Sequence, residues 1–240
     1  MIEKFWYSNS YFKWLFYPLS LPFLFLTYLK YWLYKKRIVK INCFDKPVLV
    51  VGNINVGGTG KTPLIAWLVI HLRQENIRVG IVSRGYRSNL LSYPHLVKES
   101  DSVEDVGDEA FMQYSMLKVP LVIGANRSAA VEYLLENFDL DLVISDDGLQ
   151  HYKMDRQFEL MVVDSTREFG NQLILPCGPL RESTSRTHSV NFIVQNGGQS
   201  AVSCLSKTIV KQAIMQIKVI ELISVSTGAQ LELSELKLEF

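Results

Sequence analysis

The hydrophobic positions of this chain follow two alternating patterns. Short, nearly continuous apolar runs are typical of strands buried on both faces of a parallel sheet, and they occupy residues 47–52, 77–83, 120–124, 140–145 and 158–164. Apolar residues at helical spacing follow several of these runs, at residues 63–72, 110–114 and 128–135. The alternation predicts an α/β fold with a doubly wound, mostly parallel sheet.

Other stretches depart from this alternation. Residues 88–105 are polar and irregular, which indicates a mobile loop or insertion. Residues 190–194 indicate an edge strand, and residues 217–225 indicate β-structure before a turn at 227–228 and a last strand from Leu231. We therefore expect an N-terminal segment, a core and a short β-rich C-terminal segment, at residues 1–40, 41–200 and 201–240.

The N-terminal segment has a membrane-seeking composition. Sixteen uncharged residues separate Lys13 from Lys30, and aromatic residues continue to the basic cluster 35–37. This pattern predicts a hydrophobic membrane helix near residues 11–34, with the basic cluster placing the following domain in the cytoplasm. Three arrangements remain open: a membrane span, a segment lying in the membrane interface, or a helix packed on its own domain.

The first apolar run is followed by a glycine-rich loop. The loop matches the G-x-x-x-x-G-K-[ST] pattern except at Asn55, which replaces the first glycine. Glycines let successive N–H groups turn toward a phosphate, and the start of the next helix adds its positive dipole end. Lys61 would reach the β- and γ-phosphates, and the Thr62 hydroxyl would bind Mg²⁺. The predicted nucleotide-binding residues are Asn55, Val56, Gly57, Gly58, Thr59, Gly60, Lys61 and Thr62.

Carboxylates occur in pairs at two other places. Asp146 and Asp147 terminate the fourth apolar run, where a P-loop fold holds Mg²⁺ opposite the loop threonine. Asp108 and Glu109 stand at the start of a helix. They either complement the helix dipole or supply the base that accepts a hydroxyl proton in phosphoryl transfer.

Basic and polar candidates accompany these carboxylates. The segment 83–87 contains two arginines and a tyrosine for phosphate or sugar binding, or forms a solvated turn. Arg127 follows a strand, as a phosphate ligand or a cap. His151 would orient a carboxylate or be structural, and Arg181 with Glu182 would be an active-site pair or a surface ion pair.

Charge and cysteine content narrow the function classes. The chain has 25 basic and 24 acidic residues, a formal net charge of +1, so no overall field attracts nucleic acid. Its three cysteines lie far apart without C-x-x-C spacing, which disfavours a zinc site or a disulfide framework. We predict no nucleic-acid partner and have no sequence signal for a protein partner.

Taken in order, the motifs resemble those of the tetraacyldisaccharide 4'-kinases, the membrane-associated lipid A kinases of Gram-negative bacteria. The matching residues cover six ordered segments in residues 1–195: Gly52-Asn53 with 57–63, then 83–87, 106–109, 125–127, 146–151 and 178–182. The P-loop is generic, whereas DDGLQH followed by GPLRE is specific.

This resemblance implies transfer of the ATP γ-phosphate to the 4'-hydroxyl of an acylated glucosamine disaccharide 1-phosphate, giving lipid IV-A at the inner membrane. It also implies ATP and Mg²⁺ as ligands and a catalytic domain that faces the cytoplasm. Asp108 would be the general base, and Lys61 with the loop amides would hold the phosphates. Thr62 and the Asp146/Asp147 pair would bind Mg²⁺. The supporting site residues would be Arg127, His151, Arg181 and Glu182.

One departure from the family pattern affects the expected activity. Family members continue into a second lobe with a Gly-Ile-Gly-Asn-Pro segment and a later Asp-His segment, and neither occurs in this sequence. We expect a chain lacking them to keep its nucleotide site with reduced or absent turnover. Two other functions remain open, a membrane-tethered P-loop ATPase switch and a soluble ligase of the dethiobiotin synthetase type.

Overall fold

The computed structural model of the chain describes residues 6–7, 16–199, 202–206, 208–218, 222–223 and 230–231. Its helices are α1 (Tyr17–Lys35), α2 (Lys61–Gln74), α3 (Val103–Val106), α4 (Asp108–Leu117) and α5 (Arg127–Asn137), with 3₁₀ turns at Thr184–His188 and Ser203–Leu205. Its strands are β1 (Val48–Gly52), β2 (Val79–Ser83), β3 (His95–Leu96), β4 (Leu121–Ile123), β5 (Leu142–Asp146), β6 (Phe158–Asp164), β7 (Phe192–Asn196), β8 (Lys211–Met215), β9 (Leu222–Ile223) and β10 (Gln230–Leu231).

Eight strands form one sheet in the order β3-β4-β2-β5-β1-β6-β7-β8. All neighbours are parallel except β3 and β4, so the predicted α/β, mostly parallel fold is confirmed. Val51 on β1 is paired with Asp146 on β5. This register brings the loop after β1 next to the acidic end of β5, at the edge where parallel sheets bind ligands.

Two apolar layers cover the faces of the sheet. Val50 and Val143 belong to one buried cluster, whereas the adjacent Val51 and Ile144 belong to the other. Successive side chains of a strand point to opposite faces, so continuous apolar runs are needed where both faces are buried. The burial explains why the strand predictions were accurate to within a few residues.

Several local predictions need correction. Residues 190–194 were predicted as an edge strand, but β7 pairs with β6 on one side and β8 on the other. The irregular segment 88–105 contains β3 and α3. Residues 217 and 218 are not in a strand, and residues 219–221, 224–229 and 232–240 lie outside the described residues. The division of the chain near residue 201 stays a prediction, although β8 belongs to the main sheet.

Helix α1 lies within the predicted membrane segment, of which residues 11–15 are outside the described part. One side of the helix is docked: the Ser20 hydroxyl donates to the carbonyl of Ile174 (3.0 Å), and Phe23 packs against the core. The other side exposes large apolar residues, including Phe25 (63%) and Leu26 (61%). No helix in the described part of the chain combines the length and apolar character that crossing a membrane requires, so the predicted membrane helix is not confirmed.

Candidate phosphate-binding site

The loop between β1 and α2 has the conformation of a cradle. Gly57 and Gly60 have φ values of +103° and +90°, in the left-handed region that favours glycine. Gly60 precedes the first residue of α2, so the unpaired N–H groups of the helix start open onto the loop. Two side chains from outside the loop hold it: Arg167, in the turn after β6, donates to the carbonyl of Gly58, and the amide of Asn196 on β7 donates to the carbonyl of Thr59 (3.1 Å).

Lys61 lies among polar groups at the ends of β1 and β5. Its Nζ is 3.3 Å from Oδ1 of Asn53 and 3.6 Å from Oδ1 of Asp147. Asn53 is fully buried, and its side-chain oxygen also accepts a hydrogen bond from Arg181. The ammonium group is therefore held by neutral and anionic oxygens at the position that a P-loop lysine needs.

Asp147 is bound by a two-pronged arginine contact. The two terminal nitrogens of Arg181 donate to its two carboxylate oxygens at 3.0 and 2.9 Å. Burial alone would raise the pKa of Asp147, but the Arg181 hydrogen bonds and the Lys61 charge outweigh burial and lower the pKa to about 2. Its φ of +50° places the residue just past the strand in a left-handed turn. The carboxylate is thus ionised and fixed.

Asp146 differs from Asp147 because its carboxyl group is buried and only one of its two oxygens accepts a hydrogen bond in the described structure. Gln113 on α4 donates to Oδ2 at 2.7 Å, while Oδ1 has no hydrogen-bond partner in the described structure. Burial raises the pKa of Asp146 to about 6, and the charges of Glu109 and Asp147 act in the same direction. A buried carboxylate beside other carboxylates is stabilised when a cation joins the site.

The acidic start of α4 faces the loop through Glu109. The Thr62 hydroxyl donates to Oε1 of Glu109 at 3.1 Å. Asp108 is exposed, and its Oδ1 accepts a hydrogen bond from the backbone N–H of Glu109 at 2.9 Å. The structure therefore distinguishes two carboxylates that the sequence left equivalent.

Arg127 and His151 lie beneath the site. Arg127 is 2% exposed and donates to the carbonyls of Gly124 (2.7 Å) and Asp146 (3.1 Å), which ties the ends of β4 and β5 together. Burial lowers its pKa to about 10. Burial, together with the charges of Arg127 and Lys30, lowers the pKa of His151 to about 4, so the imidazole is neutral near pH 7.

Glu182 is buried rather than part of a surface ion pair. Its carboxylate accepts hydrogen bonds from the Tyr152 hydroxyl and from the Gln150 amide (3.2 Å). The segment 83–87 is mixed: Ser83 and Gly85 are buried, whereas Arg84, Tyr86 and Arg87 are exposed at the end of β2. These exposed groups face solvent on the ligand side of the sheet.

Comparison with known proteins agrees with this geometry. A family model described as tetraacyldisaccharide-1-P 4'-kinase matches residues 12–239. The chain belongs to this kinase family. The tetraacyldisaccharide 4'-kinase of Actinobacillus pleuropneumoniae serotype 5b is 47% identical over 195 residues, covering 81% of this chain and 60% of that protein. The Haemophilus influenzae protein of the same name is 45% identical over 199 residues, covering 83% and 60%.

A solved relative has the same fold. The crystal structure of LpxK from Aquifex aeolicus in complex with ATP superposes with a TM-score of 0.72 and 26% identity, covering 84% of this chain and 64% of that chain. This chain thus spans about 60% of the length of the curated family members it matches. The family match favours the lipid kinase resemblance over the dethiobiotin synthetase alternative.

Some of the site residues predicted from the sequence meet at the carboxyl ends of β1 and β5. Lys61, Asp147 and Arg181 are in direct contact, whereas Asp146 touches none of them by a hydrogen bond. The sequence analysis missed the contributions of Asn53, Gln113, Gln150, Arg167 and Asn196. Asn53 and Gln150 lie inside the motifs that carried the resemblance, which is the only sequence signal that they had.

Proposed function

We propose that the chain is the nucleotide-binding part of an ATP-dependent lipid kinase. The enzyme transfers the γ-phosphate to the 4'-hydroxyl of a tetraacyl disaccharide 1-phosphate, giving lipid IV-A. The observation that carries the proposal is the meeting of Lys61, Thr62 and the β5 aspartates at one edge of the sheet. Membership of the 4'-kinase family and the ATP complex of the Aquifex aeolicus relative support the nucleotide and the acceptor class.

The phosphate loop has two tasks in this reaction. The N–H groups of the loop and of the α2 start would bind the phosphates, and Lys61 would move from Asn53 toward the β- and γ-phosphate oxygens. Arg181 would keep Asp147 ionised and in place beside the lysine. Little covalent chemistry is required from the protein in phosphoryl transfer, so positioning and electrostatics are the main contributions.

The residues around Asp146 fit a magnesium site. No cluster of three or more histidine, cysteine, aspartate or glutamate side chains suited to a metal occurs in the described residues. Mg²⁺ bound with ATP needs only one or two carboxylates, because water and phosphate oxygens complete its coordination. The buried, unpartnered Oδ1 of Asp146, the Thr62 hydroxyl and the adjacent Glu109 carboxylate supply such a set. When bound, Mg²⁺ would neutralise negative charge on the transferred phosphate.

Asp108 is the proposed general base. Glu109 is engaged with Thr62, whereas Asp108 is exposed next to it and accepts only a backbone N–H bond in the described structure. A carboxylate at that position is free to accept the proton of the attacking hydroxyl. Asp147 is less suitable, because Arg181 and Lys61 lower its pKa to about 2.

We place the enzyme at the inner membrane with its core facing the cytoplasm. The exposed apolar side of α1, followed by the basic residues Lys35, Lys36 and Arg37, suits a helix lying in the interface of an anionic bilayer. A lipid acceptor stays in the bilayer, so an enzyme associated with the same surface meets it by lateral diffusion.

The test is phosphate transfer from labelled Mg²⁺-ATP to a tetraacyl disaccharide 1-phosphate in mixed micelles, with nucleotide binding measured in parallel. Asp108→Asn should abolish transfer while leaving the Kd for Mg²⁺-ATP within about twofold, because a general base contributes to the chemical step. Glu109→Gln should instead weaken the Mg²⁺ dependence of nucleotide binding. Lys61→Ala should weaken binding itself.

The outcomes separate the candidate functions. ATP consumption that needs no lipid acceptor would favour the membrane-tethered switch and contradict the kinase. Binding of Mg²⁺-ATP by the wild type without transfer to the lipid would contradict the proposed transfer reaction for this chain. Transfer by wild type that survives in Asp108→Asn would refute the assignment of the base.

A further inference from the structure

Helix α1 touches the core at the ring of Tyr152. The ring centroid of Tyr31 lies 5.4 Å from that of Tyr152 in an edge-on arrangement, and the ring of Tyr34 lies at 6.2 Å. Lys30 adds a hydrogen bond from its ammonium group to the carbonyl of Gln150, at 3.0 Å. One end of α1 therefore packs on residues that follow the Asp146/Asp147 pair by only a few positions.

The hydroxyl of Tyr152 connects its ring, which packs on α1, to a buried carboxylate. The side chain is 8% exposed, and the hydroxyl donates to Oε1 of the buried Glu182. Burial and the nearby negative charge of Glu182 raise the pKa of Tyr152 far above its ordinary value, so the hydroxyl stays a donor at any working pH. A hydrogen bond to a buried carboxylate is among the stronger ones in proteins.

The chain of hydrogen bonds continues to the phosphate loop. Gln150 donates from its single amide nitrogen to both Glu182 (3.2 Å) and the backbone carbonyl of Asn53 (3.1 Å). The Asn53 side chain in turn accepts from Lys61 and Arg181. The path from α1 to the loop lysine therefore consists of ring contacts to Tyr152, hydrogen bonds from Tyr152 through Glu182 and Gln150 to the Asn53 carbonyl, and the covalent link from that carbonyl to the Asn53 side chain.

Two arginines also contact members of the path: Arg186 lies 3.8 Å from Oε2 of Glu182, and Arg181 donates to the Asn53 carbonyl at 3.2 Å. Asn53, Tyr152 and Glu182 are buried, which prevents water from replacing a lost partner freely. Arg186 lies over the rings of Tyr31 and Tyr152, at 5.6 and 5.8 Å from their centroids, and holds the aromatic contact in place. A fixed chain of this kind positions groups to within the tolerance that phosphoryl transfer requires.

We propose that Tyr152 is a positioning residue for the phosphate-binding loop, which it orients through Glu182, Gln150 and Asn53 while α1 holds its ring. The inference rests on the proposed kinase function only for the identity of the ligand. Tyr152 itself touches no phosphate-loop residue by a hydrogen bond, so its effect is transmitted. The packing of α1 against the core and the position of the Lys61 side chain are thereby linked.

The test is the Kd of the full chain for Mg²⁺-ATP, measured for wild type, Tyr152→Phe, Glu182→Gln and the double variant. Tyr152→Phe keeps the ring contacts and removes the hydroxyl with its hydrogen bonds to Glu182 and Arg186, and it should raise the Kd about tenfold, near the lower limit for loss of a hydrogen bond to a charged group. In the Glu182→Gln background the same change should raise the Kd less than twofold, because the two residues act in series. Tyr133→Phe on α5, which lies outside this chain of hydrogen bonds, is the matched control.

The α1 end of the path is tested by Tyr31→Leu. This change should raise the Kd in wild type and leave it unchanged in Tyr152→Phe, because the helix acts through the tyrosine. An equal rise in both backgrounds would overturn the role of α1. Thermal unfolding measured on every variant distinguishes positioning from folding, since a purely structural residue lowers the Tm without changing the Kd of the folded protein.

The proposal is overturned if Tyr152→Phe binds Mg²⁺-ATP within twofold of wild type, or if the effects of Tyr152→Phe and Glu182→Gln multiply. Neither result depends on phosphate transfer. A chain that binds ATP normally but transfers nothing to lipid would contradict the proposed activity and still permit this test. The two failures are therefore separate.

Discussion

Replacing Gly60 by alanine tests why this position of the phosphate loop is a glycine. Its φ of +90° costs a residue with a side chain about 1–2 kcal/mol. The added Cβ would also lie 2.4 Å from Nδ2 of Asn196, so this amide must move and lose its bond to the Thr59 carbonyl, for about 0.5–1.5 kcal/mol. The free energy of unfolding should therefore fall by about 1.5–3.5 kcal/mol.

Urea denaturation followed by circular dichroism measures this change, and Gly58→Ala is the matched control. Gly58 belongs to the same loop, does not have a left-handed φ, and has no atom within 4 Å of an added Cβ. Its replacement should change the free energy of unfolding by no more than about 0.5 kcal/mol.

A double-mutant cycle divides the Gly60 effect into its two parts. In an Asn196→Ala background the clash and the amide bond are both gone, so Gly60→Ala should cost only the backbone strain of about 1–2 kcal/mol. Equal stability of Gly60→Ala and Gly58→Ala would refute the reasoning. An undiminished cost in the Asn196→Ala background would refute the part assigned to the amide.

Three further predictions concern other parts of the molecule. Glu159 accepts hydrogen bonds from two largely buried arginines, so Glu159→Gln should destabilise the chain by about 3–5 kcal/mol in urea titration; a loss below about 1 kcal/mol would contradict this role. Burial alone would raise the pKa of Asp101, but hydrogen bonds from His95 and a backbone N–H outweigh burial and lower it below 3.8. Its stabilisation is present above pH 3.8 and is lost as the pH falls through the folded-state pKa, so Asp101→Asn should flatten the decline of stability below about pH 4. Phe25→Glu should reduce co-sedimentation with anionic vesicles without changing the Tm, whereas Ile209→Glu, at an even more exposed apolar position outside α1, should change neither the co-sedimentation nor the Tm.

The roles of the two adjacent aspartates also have a physical explanation. Asp146 is the last residue of β5 and Asp147 follows it in a left-handed turn. The pKa of Asp146 is raised to about 6 by burial, while the pKa of Asp147 is lowered to about 2 by Arg181 and Lys61 acting against burial. The Asp146 carboxylate is buried beside Gln113, whereas the left-handed turn at Asp147 brings its carboxylate to Arg181 and Lys61. If the proposed Mg²⁺ binds here, this asymmetry favours Asp146 over Asp147 as its ligand, because Asp147 is already paired with Arg181.

The fold class and the phosphate loop could be predicted from the amino-acid pattern alone. Strands buried on both faces need continuous apolar runs, and β1, β5 and β6 carried that signal without help from the rest of the chain. The phosphate loop was also predictable, because its positive φ values and the helix start after it depend only on local residues, here Gly57 and Gly60.

Contacts between distant side chains could not be predicted, because they depend on how the sheet and helices pack. Residues 190–194 were predicted as an edge strand, although β8 pairs with them. The residue pattern of one strand does not show whether a strand further along the chain will pair with it. Asp108 and Glu109 are indistinguishable in sequence, but adjacent residues of a helix point about 100° apart, and the packing of α4 turns Glu109 toward Thr62. Asp147 meets Arg181 from 34 positions away, a contact that depends on how strand ends and loops assemble at the sheet edge. Local motifs such as the phosphate loop can therefore be identified from the sequence. Contacts between residues far apart in the sequence form only when the sheet brings those residues together.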